Sequence, residues 1–96
     1  MYNFRLSNFA KDDLVRTYHY GLKNFGMPQA EKYFEGFFNC FDSICKNPFM
    51  YPQIDNIKTG YRKCTYGVDT IYFKIENKYV DIVKIIGRQN FIEVNM

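Results

Sequence analysis

The spacing of hydrophobic positions changes along the chain, and each change predicts a different element. Residues 1–6 alternate between apolar and polar side chains from Tyr2 onward, which is the period-two pattern of a half-buried strand. Residues 8–26 and 28–46 instead carry apolar side chains three and four positions apart, which predicts two amphipathic helices. The apolar stripes comprise Ala10, Leu14, Tyr18, Leu22 and Phe25 in the first helix, and Ala30, Tyr33, Phe34, Phe37, Phe38, Phe41, Ile44 and Cys45 in the second.

Residues with known positional preferences stand at the ends of both predicted helices. Ser7 or Asn8 can cap the first helix with its side chain, and Gly26 suits the residue that follows its C-terminus. Pro28 fits the first turn of the second helix. Because only a residue or two separates the two stripes, the helices are expected to fold back on each other as a hairpin.

The second half of the chain returns to strand patterns after a loop at residues 48–60 that contains two prolines. Three strands follow, at residues 61–66, 70–75 and 79–86. The short turns between them predict an antiparallel meander over residues 61–86, followed by a tail at 87–96. The order β-α-α-β-β-β predicts a single α+β domain over residues 1–96, in which a helical hairpin packs on a small antiparallel sheet.

Composition and charge narrow the class of protein. Aromatic residues make up 20% of the chain, which favours a globular protein over a disordered one. The net charge is +3, and the excess lies in residues 46–96, with eight basic and five acidic side chains. This excess is too small for a dedicated nucleic-acid-binding surface but suits an acidic partner. We find neither a signal-like apolar segment nor a membrane-length apolar run, so we expect a cytoplasmic protein without membrane association.

The cysteines and the single histidine do not form a pattern typical of a metal or catalytic site. Cys40, Cys45 and Cys64 are odd in number and lack C-x-x-C spacing, which argues against a disulfide framework and against zinc. We expect free thiols used in packing, and neither a metal nor a cofactor. His19 stands between two tyrosines on the first helix, where a structural imidazole is a better hypothesis than a member of a catalytic triad.

Four segments, in order and spacing, resemble the RelE/ParE toxins of bacterial type II toxin–antitoxin pairs. They are "RLSNFAKDDL", "FGMPQAEKYFEGF", "NPFMYPQIDNIKTGYRKCTYG" and "TIYFKIENKYVDIVKIIGRQNF". The long helical hairpin is similar to the ParE branch. The resemblance implies a cytoplasmic toxin held inactive in a hetero-oligomer with a cognate antitoxin, ParD-like or of another family, that is encoded beside it.

ParE-type relatives poison DNA gyrase, whereas RelE-type relatives cleave mRNA in the ribosomal A site. The resemblance therefore implies a gyrase-binding poison rather than an enzyme. Two alternatives stay open: a RelE-like, ribosome-dependent endoribonuclease, and a decayed toxin that only binds its antitoxin. Self-association of the toxin is also open.

A ribonuclease would need positive charge around the phosphate together with a proton donor and acceptor. The resemblance implies Arg62 and Arg88 at the two arginine positions of RelE-like nucleases, with Lys58 as an approximate match for a lysine. A tyrosine or histidine that could transfer a proton stands near the C-terminal end in those nucleases. This chain has Phe91 there, which cannot transfer one, so the sequence argues against ribonuclease activity.

Two sets of residues are candidates for partner contacts. Arg62, Lys84, Arg88 and Phe91 are expected to bind the target, although Arg62 and Arg88 could instead pair with Asp69 or Asp81. The second set is the aromatic excess of the second helix, which could line a groove for an amphipathic antitoxin helix. It comprises Tyr33, Phe37, Phe38 and Phe41. An acidic antitoxin segment would suit the basic half of the chain.

Overall fold

A computed structural model describes residues 1–54 and 59–87 of the chain. Its elements are β1 (Asn3–Leu6), α1 (Asn8–Phe25), α2 (Met27–Lys46), a 3-10 turn (Pro48–Met50), β2 (Tyr61–Tyr66), β3 (Asp69–Glu76) and β4 (Tyr79–Gly87). The predicted α+β class and the order β-α-α-β-β-β are confirmed. Beyond Gly87, the predicted tail lies outside the described residues. Within the described part of the chain, neither helix is long and apolar enough to cross a bilayer.

The residues at the helix ends act as their types predict. The side chain of Ser7 accepts a hydrogen bond from the Ala10 amide at 3.0 Å and caps α1. Gly26 has φ of 89°, a left-handed conformation that strains residues with a Cβ. Its amide donates to the Leu22 carbonyl and its own carbonyl accepts from Ala30. One residue therefore ends α1 and starts α2, and the helices form a tight hairpin.

The four strands form one sheet in the order β1-β4-β3-β2. β2, β3 and β4 are an antiparallel meander, as expected, but β1 pairs parallel with β4, so the sheet is mixed. The short turns that predict antiparallel pairing constrain only the last three strands. β1 is separated from β4 by both helices and two strands, and a connection of that length allows a parallel pair.

One edge of the sheet is partly covered by the chain that precedes it. The Lys63 amide donates to the Pro52 carbonyl, and the Ile54 amide donates to the Tyr61 carbonyl. Gln53 also forms an isolated bridge with Arg62. Residues 52–54 of the predicted loop thus supply hydrogen-bond partners for the first half of β2, whose backbone groups would otherwise be unpaired.

The core lies between the helical hairpin and one face of the sheet. Its largest fully buried apolar side chains are Phe37, Phe41, Ile44, Ile71, Phe73, Val80, Ile82 and Ile85. Phe25 departs from the predicted stripe, because its side chain is 65% exposed. It is the last residue of α1, beside the turn into α2, and lines a surface cavity instead of the core.

β4 contains an irregularity that α1 satisfies. Tyr72 pairs with Lys84 but Phe73 pairs with Ile82, so Val83 is an extra residue opposite β3, as in a β-bulge. The Ser7 hydroxyl donates to the Val83 carbonyl at 2.8 Å. The Ile85 amide donates to Asp13 Oδ2 at 2.8 Å. The backbone groups around the bulge thereby find their partners in the first turns of α1.

Asp13 is the centre of this contact. Its side chain is 1% exposed, and Oδ1 accepts from Arg16 at 2.6 Å and from Lys84 at 2.9 Å. A buried carboxylate is tolerated only when charge and hydrogen bonds compensate it. Here two cations and one amide do so, and the bonds from Lys84 and Ile85 attach α1 to β4.

We expect Asp13→Ala to lower the free energy of unfolding by about 3 kcal/mol, because three donors lose their shared acceptor. Urea denaturation followed by circular dichroism measures this change. Asp12→Ala, which removes a neighbouring exposed carboxylate, is the control and should change stability by less than about 0.5 kcal/mol. Equal effects of the two substitutions would contradict a central role for Asp13.

Candidate functional site

An apolar cavity of about 360 Å³ lies where the end of α1, the start of α2 and the turn between β2 and β3 meet. Its size is within the range of small-ligand sites. The side chains that shape it include Tyr20, Phe25, Tyr33, Phe34, Val68 and Asp69.

A pair of tyrosines joins α2 to the β2–β3 turn beside this cavity. The rings of Tyr33 and Tyr66 stack with centroids 4.5 Å apart. The Tyr66 hydroxyl donates to the Tyr33 carbonyl at 2.9 Å. The Tyr33 hydroxyl donates to Asp69 Oδ2 at 2.7 Å and also lies 3.0 Å from the Tyr66 carbonyl. The helix and the turn are therefore held by reciprocal contacts.

Two glycines make this approach possible. A Cβ at Gly36 on α2 would overlap the Tyr66 hydroxyl, and a Cβ at Gly67 would overlap the Tyr33 hydroxyl. Gly67 also has φ of 58°, which favours glycine in the turn. The tyrosine pair depends on the absence of a side chain at both positions.

Asp69 is a buried acidic residue beside this tyrosine pair. Its side chain is 1% exposed. Oδ2 accepts from Tyr33, but Oδ1 is buried and has no hydrogen-bond partner among residues 1–54 and 59–87. Burial raises the pKa of Asp69, while the Tyr33 hydrogen bond and the charge of Arg16 oppose the rise. Burial and the bond to Asp69 also raise the pKa of Tyr33. A half-satisfied buried carboxylate is unusual enough to need an explanation.

The predicted aromatic groove is not assembled as one surface. Phe37 and Phe41 are 0% exposed and belong to the core, which corrects their assignment as partner contacts, because a partner cannot reach them without repacking the core. Tyr33 and Phe38 are half-buried, but five residues along a helix turn by about 140°. Tyr33 accordingly faces Tyr66, whereas Phe38 packs toward Phe4.

Arg62 holds the chain that follows α2. It pairs across the sheet with the core residue Phe73, so its side chain leaves β2 on the helix-bearing face. Its guanidinium donates to the Tyr51 carbonyl at 2.7 Å and to the Phe49 carbonyl at 3.4 Å. These contacts give Arg62 a structural role in positioning the loop.

Lys84 is likewise engaged, through its ion pair with Asp13. Because β3 lies between β2 and β4, Arg62 and Lys84 stand on strands about 10 Å apart. Lys58, Arg88 and Phe91 lie outside the described residues. The structure thus does not bring Arg62 and Lys84 together, and the target-binding set stays a prediction.

The three thiols are buried or half-buried, whereas the single histidine is exposed. The Cys40 thiol on α2 and the Cys64 thiol on β2 lie close enough to influence each other's pKa. Burial raises the pKa of Cys64 to about 11 and also raises the pKa of Cys40 and Cys45. His19 is exposed on α1, beside the Tyr18 ring. Across the part of the chain described, His, Cys, Asp and Glu side chains form no cluster suited to a metal ion.

Sequence reasoning did not identify Asp69, Tyr66 or Asp13 as organising residues. Asp69 was considered only as an ion-pair partner for an arginine. The tight turn after Tyr66 could be recognised from Gly67, but nothing in a single sequence places Tyr33 of a distant helix against that turn. The role of Asp13 could not be recognised from the sequence either, because it depends on a bulge in β4.

Comparisons with known proteins agree with one another in pointing to ParE toxins. A family model described as "ParE toxin of type II toxin-antitoxin system, parDE" matches residues 4–90. Toxin ParE1 of Caulobacter vibrioides is 28% identical over 83 residues, which cover 86% of this chain and 85% of that protein. Toxin ParE1 of Mycobacterium tuberculosis is 24% identical over 94 residues, covering 97% and 96% respectively.

A solved structure described as "Chromosomal ParDE TA system from P. aeruginosa" has the same fold. The TM-score is 0.79 over 91% of this chain and 96% of that chain, at 17% sequence identity. At this identity the likeness concerns the arrangement of helices and strands, which agrees with the element order described above.

We expect Gly36→Ala to destabilise the protein by about 2 kcal/mol, because the added methyl displaces the Tyr66 ring from Tyr33. Thermal denaturation of Gly36→Ala, Tyr66→Ala and the double variant measures the energetic coupling between the two positions. In a Tyr66→Ala background the same substitution should be neutral or stabilising by up to about 1 kcal/mol, since alanine is the better helix former. An equal loss in both backgrounds would show that Tyr66 is not the cause.

We expect the three thiols to react slowly with iodoacetamide. A thiol with a pKa of about 11 holds little thiolate at pH 8, so Cys64 should react about 100-fold more slowly than free cysteine. The rate should rise roughly tenfold per pH unit as long as the protein stays folded. Peptide mass spectrometry resolves the three sites, and protein unfolded in urea is the control. One rapidly alkylated cysteine at pH 7 would instead indicate an activated nucleophile.

Proposed function

The chain belongs to the ParE toxin family of type II toxin–antitoxin systems, and from this membership we propose that it arrests growth by binding DNA gyrase. We further propose that a cognate antitoxin neutralises it in a hetero-oligomer. Acting on gyrase makes it a cytoplasmic protein and a binding poison with no chemical step of its own. The observation that carries the proposal is the family match, which spans residues 4–90 and so includes every described helix and strand except Asn3, the first residue of β1.

The position of Arg62 favours gyrase over the ribosome as the target. A ribonuclease of the RelE type would use this arginine to hold a phosphate, but its guanidinium already donates to two backbone carbonyls of the preceding loop. Phe91 stands where such a nuclease needs a group that transfers protons. Both features are consistent with a toxin that acts by binding.

The antitoxin proposal is supported by the neighbour's description as a ParDE system and by apolar surface that the described chain leaves uncovered. Tyr33 remains a candidate antitoxin contact, because it is half-buried beside the cavity. We propose Arg88 and Phe91 as the leading gyrase contacts, and we rank Arg62 and Lys84 after them because each also has a structural role. The family and stoichiometry of the antitoxin follow from isolating the complex with the product of the neighbouring gene.

We expect induction of the chain in a bacterium without the antitoxin to alter plasmid supercoiling or trap cleaved DNA within minutes, while protein synthesis continues. Gel electrophoresis of plasmid DNA and pulse labelling with radioactive methionine measure the two responses. Arg88→Ala should weaken the effect on supercoiling. Arg5→Ala is the matched control, because it removes an exposed arginine that is paired with Asp81 and lies on the edge strand β1.

Immediate arrest of translation with cut mRNA would overturn the gyrase proposal and return attention to Lys58 and Arg62 as nuclease residues. A chain that binds the antitoxin but leaves both DNA and translation unchanged would identify a decayed toxin. Equal loss of activity in both arginine variants would show that general charge, rather than Arg88, is what matters.

A further inference from the structure

Exposed apolar side chains surround the cavity between the helical hairpin and the β2–β3 turn. The relative exposures are 44% for Tyr20, 65% for Phe25 and 54% for Val68, and all three residues line the cavity. Isolated exposed hydrophobic residues are ordinary, but several at one concave site mark a binding surface. The rings also extend beyond the cavity, so an occupant that covers them must be larger than an ion.

The lining of this cavity includes an acidic side chain, that of Asp69, and one of its two oxygens has no hydrogen-bond partner among the described residues. Asp69 is the only charged residue among the described residues that line it. Its Oδ2 is held by Tyr33, while the buried Oδ1 has no partner in the described part of the chain. A buried acceptor without a donor is unfavourable in the free protein, and an occupant that supplied an N–H group would remove this penalty.

Within residues 1–54 and 59–87, the charged side chains near Asp69 do not pair with that oxygen. Arg16 attracts Asp69 and Asp13 repels it through space, but the guanidinium of Arg16 is held by Asp13 at 2.6 Å. Arg16 is thus engaged with Asp13, and Asp69 is the charged residue among the described residues that line the cavity. Charge complementarity therefore favours a cation as the occupant.

We propose that the cavity receives a lysine or arginine side chain of the antitoxin, and that its N–H group reaches the buried Asp69 Oδ1 once the side chains that cover this oxygen move aside. The aliphatic stem of such a side chain packs against the rings of Tyr20 and Phe25 while its tip carries the donors. Nearby aromatic faces also attract a cation. This inference rests on the proposed function, because it takes the antitoxin as the partner. It adds one basic anchor to a segment otherwise expected to be acidic.

The chemistry of the cavity is testable without the antitoxin. Three probes of similar shape differ in the end group: 4-phenylbutylammonium, 4-phenylbutanol and 4-phenylbutyrate. Titrations of the ¹⁵N-labelled chain, followed by amide chemical shifts, should show saturable changes at Gly67, Val68 and Gly21. The ammonium should bind about tenfold more tightly than the alcohol, because a charged hydrogen bond is stronger than a neutral one. The carboxylate should bind most weakly.

Asp69→Asn keeps the size of the side chain and an acceptor for Tyr33 but removes the charge. We expect it to abolish the preference for the ammonium while the alcohol still binds. Asp42→Asn, which removes an exposed carboxylate on α2, should leave the preference intact. Amide spectra of the free variants establish that each is folded. An unchanged preference in Asp69→Asn, or tighter binding of the carboxylate, would overturn the inference.

The antitoxin itself gives the second arm of the test. With the product of the neighbouring gene, Asp69→Asn should weaken the complex about tenfold, as expected for a lost charged hydrogen bond, while Asp42→Asn should not. If the unaltered chain binds that product and Asp69→Asn binds equally well, the inference fails and the proposed pairing stands. If the unaltered chain does not bind it, the proposed pairing fails, and this inference fails with it as a statement about the antitoxin.

Discussion

The contact between Asp13 and the bulge in β4 sets the geometry on which the rest of the molecule depends. A bulge leaves backbone groups that the sheet cannot pair, and here α1 supplies their partners through Ser7 and Asp13. These contacts fix α1 over β4 near its N-terminus. The tight turn at Gly26 then determines where α2 lies, and the Tyr33–Tyr66 pair joins α2 to the far end of the sheet. The cavity is the space left where α1, α2 and that end meet.

A feature of this fold could be predicted from the sequence only where neighbouring residues determine it. Ser7, Gly26 and Pro28 mark helix ends through preferences that operate within a few residues, and the structure has them there. Asn77, with φ of 56° in the β3–β4 turn, belongs to the same kind of local signal. Parallel pairing of β1, the Val83 bulge and the contact between Tyr33 and Asp69 join residues far apart in sequence. Periodicity carries no information about such pairs.

The aromatic stripe of α2 shows where pattern reasoning reaches its limit. A stripe identifies the apolar side of a helix but does not say how that side is divided among neighbours. Phe37 and Phe41 go to the core, Phe38 turns toward β1, and Tyr33 turns toward the β2–β3 turn. Arg62 makes the same point for charge, because a cation expected to bind a partner also serves the chain's own backbone. The surface available to a partner is what the fold does not bury, as at Tyr20, Phe25 and Val68.

The parallel pair between β1 and β4 has a consequence for the route by which the protein folds. Arg5 and Asp81 face each other across this pair although 76 positions separate them along the chain. Contacts at such separation form slowly, because the intervening chain must first lose its freedom. β1 is synthesised before the helices and yet obtains its partner only after the meander exists. The helical hairpin and the meander can each assemble from neighbours, whereas the completed sheet, and the α1 position that Ser7 and Asp13 fix upon it, must await β4.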